Sequence, residues 1–468
     1  MKIHITAMLA AMLLFTPNTY TQQITGQWNG ALNIQGTQLR LVLHVNKTAD
    51  SLTSTLDSPD QGANGIPVTT TSFENGTLKF TLDKLQIVYE GVLGKDSVFT
   101  GTFKQGGQPF PLVLSRATIE KQKLNRPQEP SKPYPYYSED ISFSNEKANI
   151  SLAGTLTLPK KDGIYPAVIL ITGSGPQNRD EELLGHKPFL ILSDYLTRNG
   201  IAVLRYDDRG TASSTGDFKT ATSADFATDV EAAIAFLKTR KEIDKSKIGL
   251  IGHSEGGLIA PMVAARSKDV AFIVLLAGPG IKGDQLLLLQ EYLIGKASGN
   301  SDEELKKNEV VTRQAFEIVN KGESTEKQKL KLTELITKAL KENPSADKPP
   351  GLTDDEFVKL QVDQITTPWM QYFLKYDPVP ALEKLTCPVL ALNGAKDLQV
   401  PPKEDLEGIK NALAKGGNKK LTTIELPNLN HLFQESKTGA PSEYAAIEQT
   451  FSPVALTAIM KWIGALKL

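Results

Sequence analysis

The sequence predicts an α/β protein: a doubly wound, mostly parallel sheet carrying a helical cap, preceded by a small all-β domain. Three observations lead there. From about residue 138 to the end, apolar runs of strand length alternate with helix-length segments, the pattern of a parallel sheet covered on both faces. Between 24 and 115 only short alternating runs occur, separated by turn residues. One strand–turn–helix junction, Lys247 to Leu258, reads KIGLIGHSEGGL and contains GxSxG. A chain of 468 residues is long enough for two or three domains.

Taken in order, the chain begins with Lys2 before an apolar stretch from Ile3 to Phe15, then Thr16-Pro17-Asn18 and a polar segment. This is the outline of a secretory signal peptide over 1–22, with cleavage expected near 20–23 and a periplasmic or secreted destination. The stretch is too short for a membrane span, and no cysteine lies near it to carry a lipid. Eight short alternating runs follow, from Gln27–Leu32 to Phe110–Leu114, with turns such as Asn75-Gly76 and Gly94-Lys95-Asp96 between them. Their spacing of about ten residues predicts a meander closed as a small barrel or sandwich. Its opening, Gly26-Gln27-Trp28, resembles the start of lipocalin-type barrels over those three residues. Residues 116–137, with Pro127, Pro130, Pro133 and Pro135 among three tyrosines, predict a semi-rigid linker.

The α/β part opens with a hairpin, Ile141–Phe143 and Ile150–Leu158. Strand-like runs follow at Ala167–Ile171, Ala202–Arg205, Ile248–Ile251, Phe272–Leu276, Pro388–Leu392 and Leu421–Leu426. Helical segments separate them, notably Phe189–Arg198 and Ala224–Leu237. Between about 282 and 377 strand signals stop, and charged helical segments replace them. An insertion between two core strands has to leave the sheet at its rim, so this one is read as a helical cap. The cluster Trp369-Met370-Gln371-Tyr372-Phe373 near its end is read as packing rather than as a substrate wall.

Composition narrows the chemistry. Net charge is -1, which offers no general attraction to nucleic acid or anionic lipid. The single cysteine, Cys387, excludes an internal disulfide and a cysteine-based metal cluster, and its setting before Pro388 suits packing. At GxSxG, a sharp turn puts Ser254 in a strained conformation, so its neighbours at minus two and plus two, Gly252 and Gly256, must be small. The hydroxyl is thereby lifted to the rim of the sheet at a helix N-terminus, where a backbone N–H meets developing negative charge.

A serine hydroxyl needs a base, and the base an orienting acid. His431 is the one histidine after Ser254, a few residues beyond the last strand. Asp397 follows the preceding strand, with Gly394 read as allowing the turn. Asp405 and Glu407, in the next helical segment, are the weaker alternatives for the acid. The loop Thr172-Gly173-Ser174-Gly175-Pro176 can aim amides into one site, so the amides of Ser174 and Glu255 are the expected oxyanion donors. The Ser174 hydroxyl is a rival nucleophile without an elbow. His186 either lines the pocket or packs, and Asp207-Asp208-Arg209-Gly210 is expected to brace the loops by ion pairing.

Five blocks in order, Gly173–Asp180, Arg205–Gly210, Gly252–Gly257, Asn393–Asp397 and Asn430-His431, resemble the α/β-hydrolase superfamily. The likeness covers residue 138 to the end. It is nearest to secreted bacterial esterases of the dienelactone-hydrolase and serine-aminopeptidase-like branch. The resemblance implies Ser254 as nucleophile, Asp397 as acid and His431 as base in a capped site. It implies acyl-ester chemistry on a small-molecule substrate, short acyl chains first, with peptide or amide cleavage as the alternative. No metal or organic cofactor is required. Thr172 stands where many relatives have histidine, and Ser254 where true dienelactone hydrolases have cysteine.

Overall fold

The computed structural model describes residues 24–34, 37–48, 51–106, 108–120, 125–342 and 353–466. The signal-peptide segment lies outside the described residues. The chain divides into two compact units near residue 122.

Among the described residues the first unit is a meander of nine strands: β1 (Gly26–Ile34), β2 (Thr37–Lys47), β3 (Leu52–Ser58), β4 (Ala63–Pro67), β5 (Thr70–Glu74), β6 (Thr77–Leu82), β7 (Ile87–Leu93), β8 (Phe99–Gln105) and β9 (Gln108–Leu114). They form sheets of four and five strands in sequence order. Paired bonds between Asn29 and Ser115, at 2.7 and 2.9 Å, join β1 to the end of β9; on the other side the chain runs from β4, paired with β3, into β5, paired with β6, and Thr71 of β5 donates its hydroxyl to Ser54 Oγ of β3 at 2.9 Å. The meander therefore closes as a barrel. Alternation turns Leu78, Phe80 and Leu82 of β6 inward, where they meet Trp28, Tyr89, Phe99 and Phe103. The Arg116 guanidinium lies 3.8 Å above the Trp28 ring and donates to the carbonyls of Thr25 and Gln27. The sequence pattern predicts eight strands. The extra one, β4, reads ANGIP, with Gly65 at φ +66 and a terminal proline, which hides it from any alternation rule.

Among the described residues the second unit is built on eight strands: β10 (Tyr137–Asn145), β11 (Ile150–Leu158), β12 (Tyr165–Ile171), β13 (Ala202–Tyr206), β14 (Ile243–His253), β15 (Phe272–Leu276), β16 (Val389–Gly394) and β17 (Leu421–Leu426). Their order is β10-β11-β13-β12-β14-β15-β16-β17. The hairpin β10–β11 pairs antiparallel and β11 joins β13 antiparallel; from β13 to β17 every pairing is parallel. The parallel strands are apolar on both faces because helices cover both, as Phe272–Leu276, buried at every position, shows. Those helices include α1 (Pro188–Arg198), α2 (Ser223–Thr239) and α3 (Glu255–Ala264).

Between β15 and β16 the chain makes α4 (Gly283–Ala297), α5 (Asp302–Asn320), α6 (Thr325–Glu342), α7 (Asp354–Ile365), α8 (Pro368–Lys375) and α9 (Val379–Leu382). This is the helical cap. It has its own apolar cluster, including Phe316, Val319, Leu332 and Ile336, so its Lys/Glu-rich faces can point to water. Capping boxes at Ser301 with Glu304 and Thr353 with Glu356 start α5 and α7. After β16, α10 (Pro402–Lys415) and α11 (Pro453–Ala465) complete the layers.

The segment predicted as a linker over 116–137 is not free along its second half. Beyond its neighbour Asn125, Arg126 donates to four carbonyls, Leu184, Gly185, Ala445 and Ile447, at 2.8 to 3.2 Å, and Gln128 bonds the backbone of Thr450 and Phe451. These residues belong to the second unit.

Candidate active site

Ser254 stands between β14 and α3, at φ 52 and ψ -117. A non-glycine residue in that region is strained, and the surroundings enforce it. A methyl group at Gly252 would run into the carbonyl of Gly256, and one at Gly256 into the carbonyl of Ile171 at the end of β12. The two glycines allow the turn to sit against the neighbouring strand. Ser254 N–H donates to Leu276 O at 2.8 Å, which pins the turn to β15. Glu255 opens α3, so its N–H has no intrahelical acceptor.

The structure brings Asp397 and His431 together. Asp397 Oδ2 lies 2.8 Å from His431 Nδ1, while its Oδ1 accepts from the amides of Gln399 and Val400 at 2.8 and 2.9 Å. Both residues are buried. Gly394 opens the turn expected of it, its carbonyl accepting from Asp397 N–H at 3.1 Å, and serves a second purpose. It ends β16, and a methyl there would strike the Leu429 carbonyl, so glycine lets the His431 loop pack close. That loop is held by Asn430, whose Oδ1 accepts from the amides of Leu432 and Gln434. With Nδ1 engaged, Nε2 is the nitrogen left to handle a proton. Among the described residues the Ser254 hydroxyl makes no hydrogen bond, to His431 or otherwise; such bonds commonly tighten only when substrate is present.

The loop after β12 lies against the nucleophile: a Cβ built on Gly173 would be 3.2 Å from Ser254 Cβ. Gly173 N–H is already taken by Glu181 Oε1 at 2.7 Å, which leaves the next amide, that of exposed Ser174, without a partner among the described residues. Thr172 donates to Asp208, whose other oxygen accepts from Gln177 N–H. Burial holds the Asp208 carboxyl well above its usual range. The Asp207–Gly210 segment braces the loops as expected: Asp207 takes Arg179 in a two-pronged bond at 2.8 to 3.0 Å, and Arg209 takes Asp229 at 2.7 and 2.9 Å.

Two side chains sit differently from any sequence reading. The carboxylate of Glu255 is buried, and its Oε1 accepts from Ser223 Oγ at 2.5 Å and from Trp369 Nε1 of α8 at 2.8 Å. Burial raises its pKa against those two bonds. The cap residue Trp369, which also stacks on Phe373, thus reaches the residue directly after Ser254. Glu181, in a polar loop with no periodicity to mark it, touches both Gly173 and His253. His186 proves to be a packing residue: its ring nitrogens face Thr450 Oγ1 and the Tyr444 carbonyl, and burial lowers its pKa to about 4. Asp405 and Glu407 lie in α10. Asp405 is spent on Gly280 N–H, and burial pushes it up to about 7.

A serine lifted off one strand of a sheet in this order, beside loops from its neighbours, is the arrangement of the α/β-hydrolases. The chain is one of them. A family model described as serine aminopeptidase, S33, matches residues 189–436, more than half of the chain, and the protein belongs to that family. Esterase EstD of Thermotoga maritima is 27% identical over 441 residues, covering 91% of this chain and 89% of that protein. A match of that length has to include barrel residues as well as the hydrolase unit. An uncharacterized 31.7 kDa protein of Escherichia coli is 22% identical over 281 residues, 59% of this chain and 87% of that protein. Among solved structures, an esterase of Pyrococcus furiosus aligns with a TM-score of 0.44 at 14% identity, covering 74% of this chain and 98% of that one.

Proposed function

We propose that this protein is a secreted serine esterase that cleaves short-chain carboxylic esters through an acyl-enzyme. One observation carries the reading. The buried Asp397 carboxylate divides its oxygens between two backbone amides and the His431 imidazole, on a loop following the strand next to its own. That is an imidazole fixed in one tautomer for proton transfer. Ser254 Oγ attacks the acyl carbonyl while His431 Nε2 takes its proton. Asp397 stabilises the imidazolium, and the amides of Ser174 and Glu255 face the oxyanion. His431 then gives its proton to the leaving alcohol, and water repeats the sequence to release the acid. The extended similarity to Esterase EstD favours esters, and the apolar stretch after Lys2 favours export.

The family description, serine aminopeptidase, favours amide cleavage as a second reading. Hydrolysis of p-nitrophenyl esters of graded acyl length, with one aminoacyl p-nitroanilide alongside, separates the two. Ester turnover that disappears in Ser254→Ala is the expected result. Equal rates for wild type and Ser254→Ala would sink the serine mechanism, and preference for the anilide would sink the ester assignment.

A further inference from the structure

We propose that Glu181 is a positioning residue for this hydrolysis, holding the oxyanion loop and the loop of the catalytic base together through His253. The proposal rests on the reading of Ser254, Asp397 and His431 given above.

One atom makes both contacts. Glu181 Oε1 accepts from Gly173 N–H at 2.7 Å and lies 2.9 Å from His253 Nδ1. His253 Nε2 in turn lies 2.9 Å from the carbonyl oxygen of His431. The chain of contacts runs from the loop that offers Ser174 N–H, under the nucleophile, to the backbone of the base. Both partners of the His253 ring are acceptors, a carboxylate and a carbonyl. A neutral imidazole has one N–H and can serve only one of them, so full satisfaction requires an imidazolium. Burial alone lowers the His253 pKa; the charge and hydrogen bond of Glu181, together with the His431 carbonyl and the charge of Asp397, outweigh it and the pKa is raised, with the His431 ring 4.9 Å away between centroids as the other titratable neighbour.

The backbone around Glu181 is arranged to deliver this contact. Glu181 is buried and has φ +52, a costly conformation for a side chain of its size. Its N–H donates to Asn178 O at 2.8 Å. The two residues before it are anchored separately, Arg179 to Asp207 and Asp180 to Arg205. Strain held by two ion pairs, with a buried carboxylate at the strained residue, marks a position where placement matters more than local comfort. With Gly173 N–H taken, Ser174 N–H is the next amide along the loop without a partner among the described residues.

The test uses the full-length enzyme. Glu181→Gln keeps the shape and removes the charge that retains the imidazolium. The expected result is a kcat lowered roughly 10- to 100-fold, the range of a small misplacement of catalytic groups, with KM little changed. The deficit should widen as pH rises, because without its counter-charge the His253 ring loses its second proton. Nitrogen-15 NMR of the histidine side chains gives a readout independent of activity: His253 doubly protonated at neutral pH in wild type, singly protonated in Glu181→Gln. Wild-type kcat and pH dependence in a folded Glu181→Gln, or a rise in KM alone, would overturn the proposal. So would a neutral His253 in the wild-type spectrum, which decides the matter even if the variant does not fold. Failure of Ser254→Ala to abolish turnover would instead remove the reading beneath it, and the spectrum keeps the two failures apart.

Discussion

Replacing Asp397 with asparagine separates orientation from packing at the candidate base. Oδ1 of Asp397 accepts from the amides of Gln399 and Val400, and Oδ2 faces His431 Nδ1 at 2.8 Å. Asparagine has one acceptor oxygen, and the two backbone donors claim it. Its NH2 must then face Nδ1, which becomes an acceptor and sends the ring proton to Nε2. That is the nitrogen required to receive the Ser254 proton, so the variant keeps its packing and holds the wrong tautomer. An error of this kind lowers kcat by about 10⁴-fold, or roughly 5.4 kcal/mol of transition-state stabilisation. The assay is steady-state hydrolysis of a short p-nitrophenyl ester, with circular dichroism and a thermal melt to establish the fold. A folded Asp397→Asn enzyme within about tenfold of wild-type kcat, less than 1.4 kcal/mol away, would refute the assignment of roles.

Three further outcomes follow from the same geometry. Gly256→Ala places a methyl against the Ile171 carbonyl and 2.8 Å from that of Thr172, both backbone groups. It should cost about 3 kcal/mol or more in urea unfolding and abolish turnover, and a stable, active Gly256→Ala would contradict the elbow. Trp369→Phe keeps the stack on Phe373 at 5.1 Å between centroids but removes a donor from buried Glu255; urea unfolding should show a loss of about 1–3 kcal/mol, and unchanged stability would mean that the bond contributes nothing. His186 has its pKa lowered from 6.5 to about 4, so below pH 6.5 the unfolded chain binds a proton that the folded chain refuses. Stability should fall as pH drops from 6.5 towards 4, by up to roughly 3 kcal/mol. His253, with its pKa raised, has the opposite sign: its contribution is complete below 6.5 and is lost as pH climbs through the raised value. Melting temperatures of wild type and His186→Asn across the acid range check this, and an identical acid slope in the two would count against it.

What the sequence reveals and what it hides divide along physical lines. The turn at Ser254 is legible because sterics dictate glycine two residues to either side, leaving a mark in one dimension. Asp397 and His431 are legible because parallel strands deliver their loops to one edge, so position after a strand stands in for position in space. Strand β4 is hidden because a segment with glycine at its centre and proline at its end obeys no alternation. The eight-residue α8 is too short for its periodicity to separate it from a packed aromatic cluster. Glu181 and the Glu255–Trp369 bond are the informative omissions. An acid in a polar loop looks the same whether it faces water or is buried against an amide and an imidazole. The tie between positions 255 and 369 depends on how the cap folds back, which no local pattern encodes.

The four carbonyls gathered by Arg126 have a practical consequence for dissecting the chain. A fragment that starts at residue 138 would discard the guanidinium that Leu184, Gly185, Ala445 and Ile447 share, leaving those peptide oxygens to find other donors beside the loops that flank His431. Excision of the barrel therefore belongs between 117 and 124. A hydrolase fragment cut there keeps its clasp, whereas one cut a dozen residues later would look inactive for reasons unrelated to what was removed.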